Sequence, residues 1–362
     1  MFALSTVSLL FFRKLAKKID LVDKPSERKT HNGAVPLVGG VSIGVTFLYY
    51  LLFEPSVIPA SQYFAASIFI LLFIGVLDDK YDISFKIRFL VQGGLACAIM
   101  YLADVKLHTV GDILGFGEIH LGVFGYIVTI FAVIGVINAF NMVDGIDGLL
   151  GGLSIVTFGS ISLLLLKDGQ TEASYIMLVL MTIILPYVLL NLGLLGRRYK
   201  VFMGDAGSMM IGFMVVWFLL CSSQISREPL IRPVAALWFI AIPLMDMAAI
   251  MIRRIRRGDS PFKPDREHLH HIFQRLGLSP AQTLLVICGL AVLFAGFGVY
   301  GEVMQVPEVV MFYSFLVLFG IYALLLSYVW VVTAKLRTWF NLETHPNDPR
   351  ISNRNTSNES IL

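Results

Sequence analysis

Residues 171–195 read TEASYIMLVLMTIILPYVLLNLGLL, a run whose only charge is Glu172, near its start. About 20 apolar residues in a helix are enough to cross the hydrocarbon of a bilayer. A soluble helix of this length would carry a polar face, and this run has none. It is not isolated. Comparable segments fall at about 1–19, 37–53, 61–77, 88–103, 122–140, 151–166, 209–223, 233–251, 281–300 and 306–333, which makes eleven. The predicted fold class is all-α: a polytopic transmembrane helical bundle of about eleven helices.

Composition agrees. The chain has 362 residues, 57% hydrophobic and 15% charged, with a mean hydropathy of +0.78. A soluble domain carries about 25% charged residues, so a soluble enzyme or secreted module is excluded. Cys97, Cys221 and Cys288 lie far apart inside apolar runs, which argues against a disulfide frame and a cysteine zinc site. Met1 to Phe12 lack a basic leader and a small-residue cleavage site, so a retained first helix is expected.

Basic residues set the orientation. Of the 28 Lys and Arg, 24 fall in the segments 13–36, 78–88, 138–150, 196–208, 252–280 and 334–362. The intervening connections hold Lys106, Lys167, Arg227 and Arg232. The positive-inside bias predicts that the first set is cytoplasmic, with the amino terminus periplasmic and the carboxyl terminus cytoplasmic. Residues 1–340 read as a single transmembrane domain. Residues 341–362, rich in Asn, Ser, Pro and Thr, read as a disordered cytoplasmic tail.

Ionisable residues beside hydrocarbon are costly, so their placement carries information. Four polar clusters lie at segment ends on the side expected to be cytoplasmic. Asp78-Asp79, with Asp82 beyond, closes the third segment, and Lys86 and Arg88 open the fourth. The string NAFNMVDGIDG at 138–148 holds Asn141, Asp144 and Asp147 and no base of its own. RRYKVFMGDAGS at 197–208 holds Lys200 and Asp205, and DREHLHH at 265–271 holds Arg266, His268, His270 and His271.

Carboxylates without local cations repel one another, and a hard divalent cation with oxygen ligands is the common remedy. Mg²⁺ in particular takes one or two protein oxygens and binds substrate phosphates. Lys86, Arg88, Arg197, Arg198, Lys200, Arg266 and the histidines would complete a site for a metal–diphosphate complex. The glycines of GDAGS open a helix, whose amino terminus favours anions. Each acid also has a structural alternative. Asp78 and Asp79 could close a helix facing water, Asp144 and Asp147 could form a solvated turn, and Asp205 could be a helix cap. The spacing of His268, His270 and His271 does not put all three on one helical face, which favours anion contacts or proton handling over zinc.

The strings Asp78-Asp79, NAFNMVDGIDG (138–148), VFMGDAGS (201–208) and REHLHH (266–271) together resemble the polyprenyl-phosphate N-acetylhexosamine-1-phosphate transferases. The resemblance runs in order over nearly the whole chain. DKP at 23–25 and PLVGG at 36–40 are similar to the branch acting on undecaprenyl phosphate and UDP-N-acetylglucosamine.

This resemblance implies transfer of a sugar 1-phosphate from UDP-N-acetylglucosamine to undecaprenyl phosphate, with release of UMP. It implies a Mg²⁺ or Mn²⁺ cofactor and a site on the cytoplasmic face of a bacterial inner membrane. The product would start O-antigen or enterobacterial common antigen assembly. By the same resemblance Asp78 and Asp79 are catalytic, Asp205 and Asn141 bind metal, and Asp144 and Asp147 shape the metal or nucleotide site. Lys86 or Arg88 would meet a phosphate. Arg266, His268, His270 and His271 would meet the donor's sugar-phosphate end. The lipid bilayer and the two substrates are the expected partners, with no nucleic acid; a homodimer stays open. Another UDP-N-acetylhexosamine as donor is the alternative within the same chemistry. An ion-coupled transporter would need acids near midspan on broken helices, and Asp246 is the nearest approach to one.

Overall fold

Over the described residues ten of the eleven apolar segments each fall on one helix, and the eleventh, 233–251, falls on two. The structure is a computed structural model that describes residues 1–24, 33–224, 230–261 and 267–328, with Lys335 and Trp339. The helices are α1 (Phe2–Lys18), α2 (Gly39–Phe53), α3 (Ser61–Tyr81), α4 (Phe85–Leu102), α5 (Phe124–Val143), α6 (Leu149–Lys167) and α7 (Thr171–Asn191). They continue with α8 (Gly204–Gln224), α9 (Pro233–Phe239), α10 (Ala241–Arg256), α11 (Leu269–Arg275), α12 (Pro280–Val303) and α13 (Glu308–Ser327). Eight of them are long and apolar enough to span a bilayer, and α9 with α10 forms a further, bent candidate. Helices suit that solvent because every backbone N–H and C=O bonds within its own segment. Large apolar side chains such as Phe69, Leu90, Phe131, Leu293 and Val317 face outward, as lipid contact requires. The expected tail, 341–362, lies outside the described residues.

Helix α8 is the axis of the bundle. Nearly all of it is buried, with Phe213, Met214 and Trp217 fully enclosed, and α2, α3 and α5 pack closely around it. Small residues permit the approach. A Cβ on Gly40 of α2 would sit 2.0 Å from the Gly207 Cα, and one on Gly75 of α3 would sit 2.1 Å from the Ala206 Cα. These contacts bring the polar end of α3 against the first turn of α8.

The connection from α1 to α2 is stitched to the same place. Strand β1 (Val22–Asp23) pairs antiparallel with β2 (Val35–Pro36). The chain then runs parallel to the residues before α8. Phe202 N–H donates to Pro36 O, and Gly39 and Gly40 N–H donate to Phe202 O and Met203 O, each at 2.9 Å. The PLVGG string is therefore a backbone clamp on the start of α8.

The segment expected as one helix over 233–251 is broken between α9 and α10 by 82°. Pro243 accounts for the break: its ring excludes the carbonyl of the residue four before it, Phe239, and it offers no N–H. The freed Phe239 carbonyl accepts a 3.0 Å hydrogen bond from Thr157 Oγ1 of α6. That fixes the bend against a neighbouring helix.

Candidate active site

The polar ends of α3, α5 and α8 meet at one end of the bundle. Asp78 is buried in the last turns of α3, and Arg88 Nη1 at the start of α4 lies 2.5 Å from Asp78 Oδ2 and 3.9 Å from Asp205 Oδ2. The remaining N–H groups of Arg88 have no hydrogen-bond partner among the described residues. Lys86, two residues before Arg88, is exposed. Asp79 points to α8, where Oδ1 accepts the Asp205 N–H at 2.7 Å and Oδ2 accepts the Ala206 N–H at 3.3 Å. Gly204 sits at φ +77°, and a Cβ there would fall 2.4 Å from Asp79 Oδ2. A glycine is needed for the carboxylate to reach these N–H groups. The helix amino terminus expected to attract an anion thus already has its first N–H groups met by the carboxyl oxygens of Asp79.

Asn141, in the last turn of α5, donates its amide N–H groups to Asp205 Oδ1 at 2.6 Å and to Ser208 Oγ at 2.8 Å. Its carbonyl oxygen has no partner among the described residues. One turn above, Asn138 donates to Gln92 Oε1 at 2.7 Å, which ties α5 to α4. Asp144 and Asp147 occupy the loop between α5 and α6. Lys200 Nζ lies 2.5 Å from Asp147 Oδ2. Asp144 is pushed up to about 7 by burial first, then by the charges of Asp205 and Asp147. The loop is held by Asn191 at the end of α7, which accepts the Gly148 N–H at 2.6 Å and donates to Val201 O at 2.9 Å. One buried amide therefore joins the second and third motif loops.

The histidine string divides by function. His268 precedes α11 and places Nδ1 2.8 Å from Asp246 Oδ2 of α10. His270 is buried against Gly145 of the 138–148 loop, and a Cβ on Gly145 would lie 2.2 Å from its Cε1. Burial, with lesser contributions from His271 and His268, lowers His270 to about 2, so the ring is neutral and cannot attract an anion by charge. His271 packs on His270 with ring centroids 4.1 Å apart. Arg266 lies outside the described residues. Arg253 and Arg254, in the last turn of α10, are buried. Arg253 Nη1 stands 2.8 Å from Glu267 Oε2, and Arg254 Nη1 donates to Pro261 O at 2.6 Å.

Asp78, Asp79, Asp144, Asp147 and Asp205 thus form one acidic group. Among the described residues the cations paired with it are Arg88 and Lys200. The surplus of negative charge and the hard oxygen donors fit a divalent cation. No three His, Cys, Asp or Glu side chains among the described residues form a closed cage. A cation that keeps waters and shares its sphere with phosphate oxygens does not require one. Asn191, Asp246 and Tyr322 were not expected in the site. Asn191 and Tyr322 sit inside apolar runs, where a single amide or phenol carries no spacing signal.

The sequence pattern of glycosyl transferase family 4 matches residues 61–223, from the start of α3 to the end of α8. Proteins named undecaprenyl-phosphate alpha-N-acetylglucosaminyl 1-phosphate transferase are similar along nearly the whole chain. The one from Escherichia coli strain K12 is 50% identical over 334 residues, covering 91% of this chain and 90% of its own. That from Yersinia pestis is 50% identical over 91% of both chains, and that from Haemophilus influenzae is 48% identical over 91% of this chain and 93% of its own. By helices, acidic cluster and sequence together, this protein belongs to glycosyl transferase family 4.

Proposed function

We propose that this protein transfers N-acetylglucosamine 1-phosphate from UDP-N-acetylglucosamine to undecaprenyl phosphate, releasing UMP. The reading is carried by the acidic cluster at one end of the bundle, together with the names of relatives half identical to this chain. It places the chain as an eleven-span protein of a bacterial inner membrane, amino terminus periplasmic and carboxyl terminus cytoplasmic. The cluster would then face the cytoplasm at headgroup depth, where a nucleotide sugar and a lipid phosphate can meet. The product would start O-antigen or enterobacterial common antigen synthesis.

In the reaction a phosphate oxygen of the lipid attacks the sugar-side phosphorus in line, and the bond to the UMP oxygen breaks. A phosphate monoester has its second pKa near ~6, so the nucleophile is already largely ionised and little base is needed. The positioning falls to the protein. Asp78 orients Arg88, whose free N–H groups suit a phosphate. Asp79 holds the first turn of α8, and with it Asp205. Lys200 restrains Asp147 at the loop that would border the nucleotide.

Asp205 and the free carbonyl oxygen of Asn141 would hold Mg²⁺ or Mn²⁺. When bound, such an ion neutralises charge on the diphosphate. Purified protein with UDP-N-acetylglucosamine, undecaprenyl phosphate and Mg²⁺ should release UMP and form the lipid-linked sugar diphosphate. Omitting the lipid or adding a chelator should abolish both. UMP release that needs neither lipid nor divalent ion would overturn the reading, and a panel of UDP-sugars would fix the donor.

A further inference from the structure

A carboxylate in an apolar helix needs an explanation, because burying it costs several kcal/mol unless it is paired. Asp246 is such a group. It lies six residues into α10, is 2% exposed, and uses both oxygens. Oδ2 faces His268 Nδ1 at 2.8 Å, while Oδ1 accepts the Leu269 N–H at 3.1 Å and the Tyr322 hydroxyl of α13 at 2.5 Å. Three elements converge on one carboxylate: α10, α13 and the residues opening α11.

The arrangement fixes a proton. A carboxylate only accepts, so His268 carries a hydrogen on Nδ1, and in the neutral ring this leaves Nε2 as the acceptor. Nε2 has no hydrogen-bond partner among the described residues. The His268 ring lies parallel to that of His270, 7° apart with centroids at 5.8 Å. His270 in turn rests on Gly145, in the loop that carries Asp144 and Asp147. The lone pair therefore belongs to a ring one imidazole removed from the loop that carries Asp144 and Asp147.

We propose that Asp246 is a positioning residue for the transfer reaction: it holds His268 as the Nδ1–H tautomer so that Nε2 accepts a hydrogen bond from the bound sugar nucleotide. This rests on the proposed function, because the ligand is that reaction's donor substrate. Tyr322 and the Leu269 N–H complete the carboxylate's coordination and stop it turning away from the ring. The arrangement also accounts for an acid in a helix that otherwise reads as lipid-embedded.

Asp246→Asn separates positioning from packing. The amide keeps the shape and can still accept from Leu269 and Tyr322, but it presents an N–H to His268. The ring must then accept at Nδ1 and carry its proton on Nε2, which faces donor against donor at the substrate. The KM for UDP-N-acetylglucosamine should rise by about tenfold or more, the usual cost of an unmet hydrogen bond. The KM for undecaprenyl phosphate should stay as in the wild type. A merely structural Asp246 would leave Asp246→Asn kinetics unchanged, and that result would overturn the proposal.

Histidine-selective ¹⁵N NMR of the wild-type protein gives a second test that does not depend on the variant folding. His268 is assigned by the resonance lost in His268→Gln. It should be the Nδ1–H tautomer, and its Nε2 resonance should shift on adding UDP-N-acetylglucosamine. An Nε2–H tautomer in the wild type, or no shift at a saturating donor concentration, would overturn the proposal. Wild-type protein inactive with this donor would instead count against the proposed function, and the tautomer would still report on Asp246.

Discussion

Asp79 and Asp78 are neighbours in sequence with different work to do. Asp78 pairs with Arg88, whereas Asp79 spends both oxygens on the first N–H groups of α8. Loss of such a cap costs about 1 kcal/mol, up to ~2. Asp79→Ala should therefore lower the melting temperature of the detergent-solubilised protein and abolish transfer, because Asp205 is no longer held. Asp79→Asn keeps one acceptor oxygen and should recover much of the stability, which thermal unfolding of the two variants would compare.

Asp144 makes a pH prediction at the same scale. Its carboxyl is raised to about 7 in the folded chain, against about 4 for an ordinary aspartate. Between these values the folded form keeps a proton that the unfolded form has lost. The contribution of Asp144 to stability is thus fully present below pH ~4 and declines as pH rises to about 7. A divalent ion would favour the ionised form. Metal-free protein should then gain more from Mg²⁺ at pH 8 than at pH 5, read as the shift in melting temperature at each pH.

At the scale of elements, the closeness of α3 to α8 sets the site. Gly75→Ala would gain up to ~1 kcal/mol of helix propensity. The added methyl, however, would fall 2.1 Å from the Ala206 backbone, and overpacking of this kind costs about 1–3 kcal/mol. Destabilisation should win. The separation also draws Asp79 from the Asp205 N–H, so the turnover rate should fall by more than the loss of folded protein explains. Thermal unfolding and UMP release on the same sample would show this.

At the scale of the whole molecule, the two ends of the bundle serve different ends. Away from the acidic cluster, Arg232 before α9 reaches Glu302 Oε2 at 3.0 Å, Gly301 O at 2.7 Å and Val306 O at 2.8 Å. Both charged side chains are largely buried. Removing one partner of a buried pair costs about 3–5 kcal/mol because the other is left uncompensated. Arg232→Ala should lower the melting temperature strongly and leave the Michaelis constants of the folded fraction unchanged. A change in donor KM would show that the ends are coupled.

Much of this molecule was legible in order along the chain. The unbroken apolar run at 171–195 and its ten counterparts determined an α-helical membrane bundle, because only helices of that length satisfy their backbone in hydrocarbon. Charge sorting along the chain marked where the polar chemistry would collect. What each polar residue does was decided by the tertiary structure. Asp79 became the cap of another helix, Asn191 joined two loops, and Asp246 took hold of His268. The reason is physical. Hydrophobic periodicity records which face of a helix meets lipid, but which helix ends meet depends on close approach at residues such as Gly40 and Gly75. Those contacts link positions more than a hundred residues apart, and no local spacing encodes them.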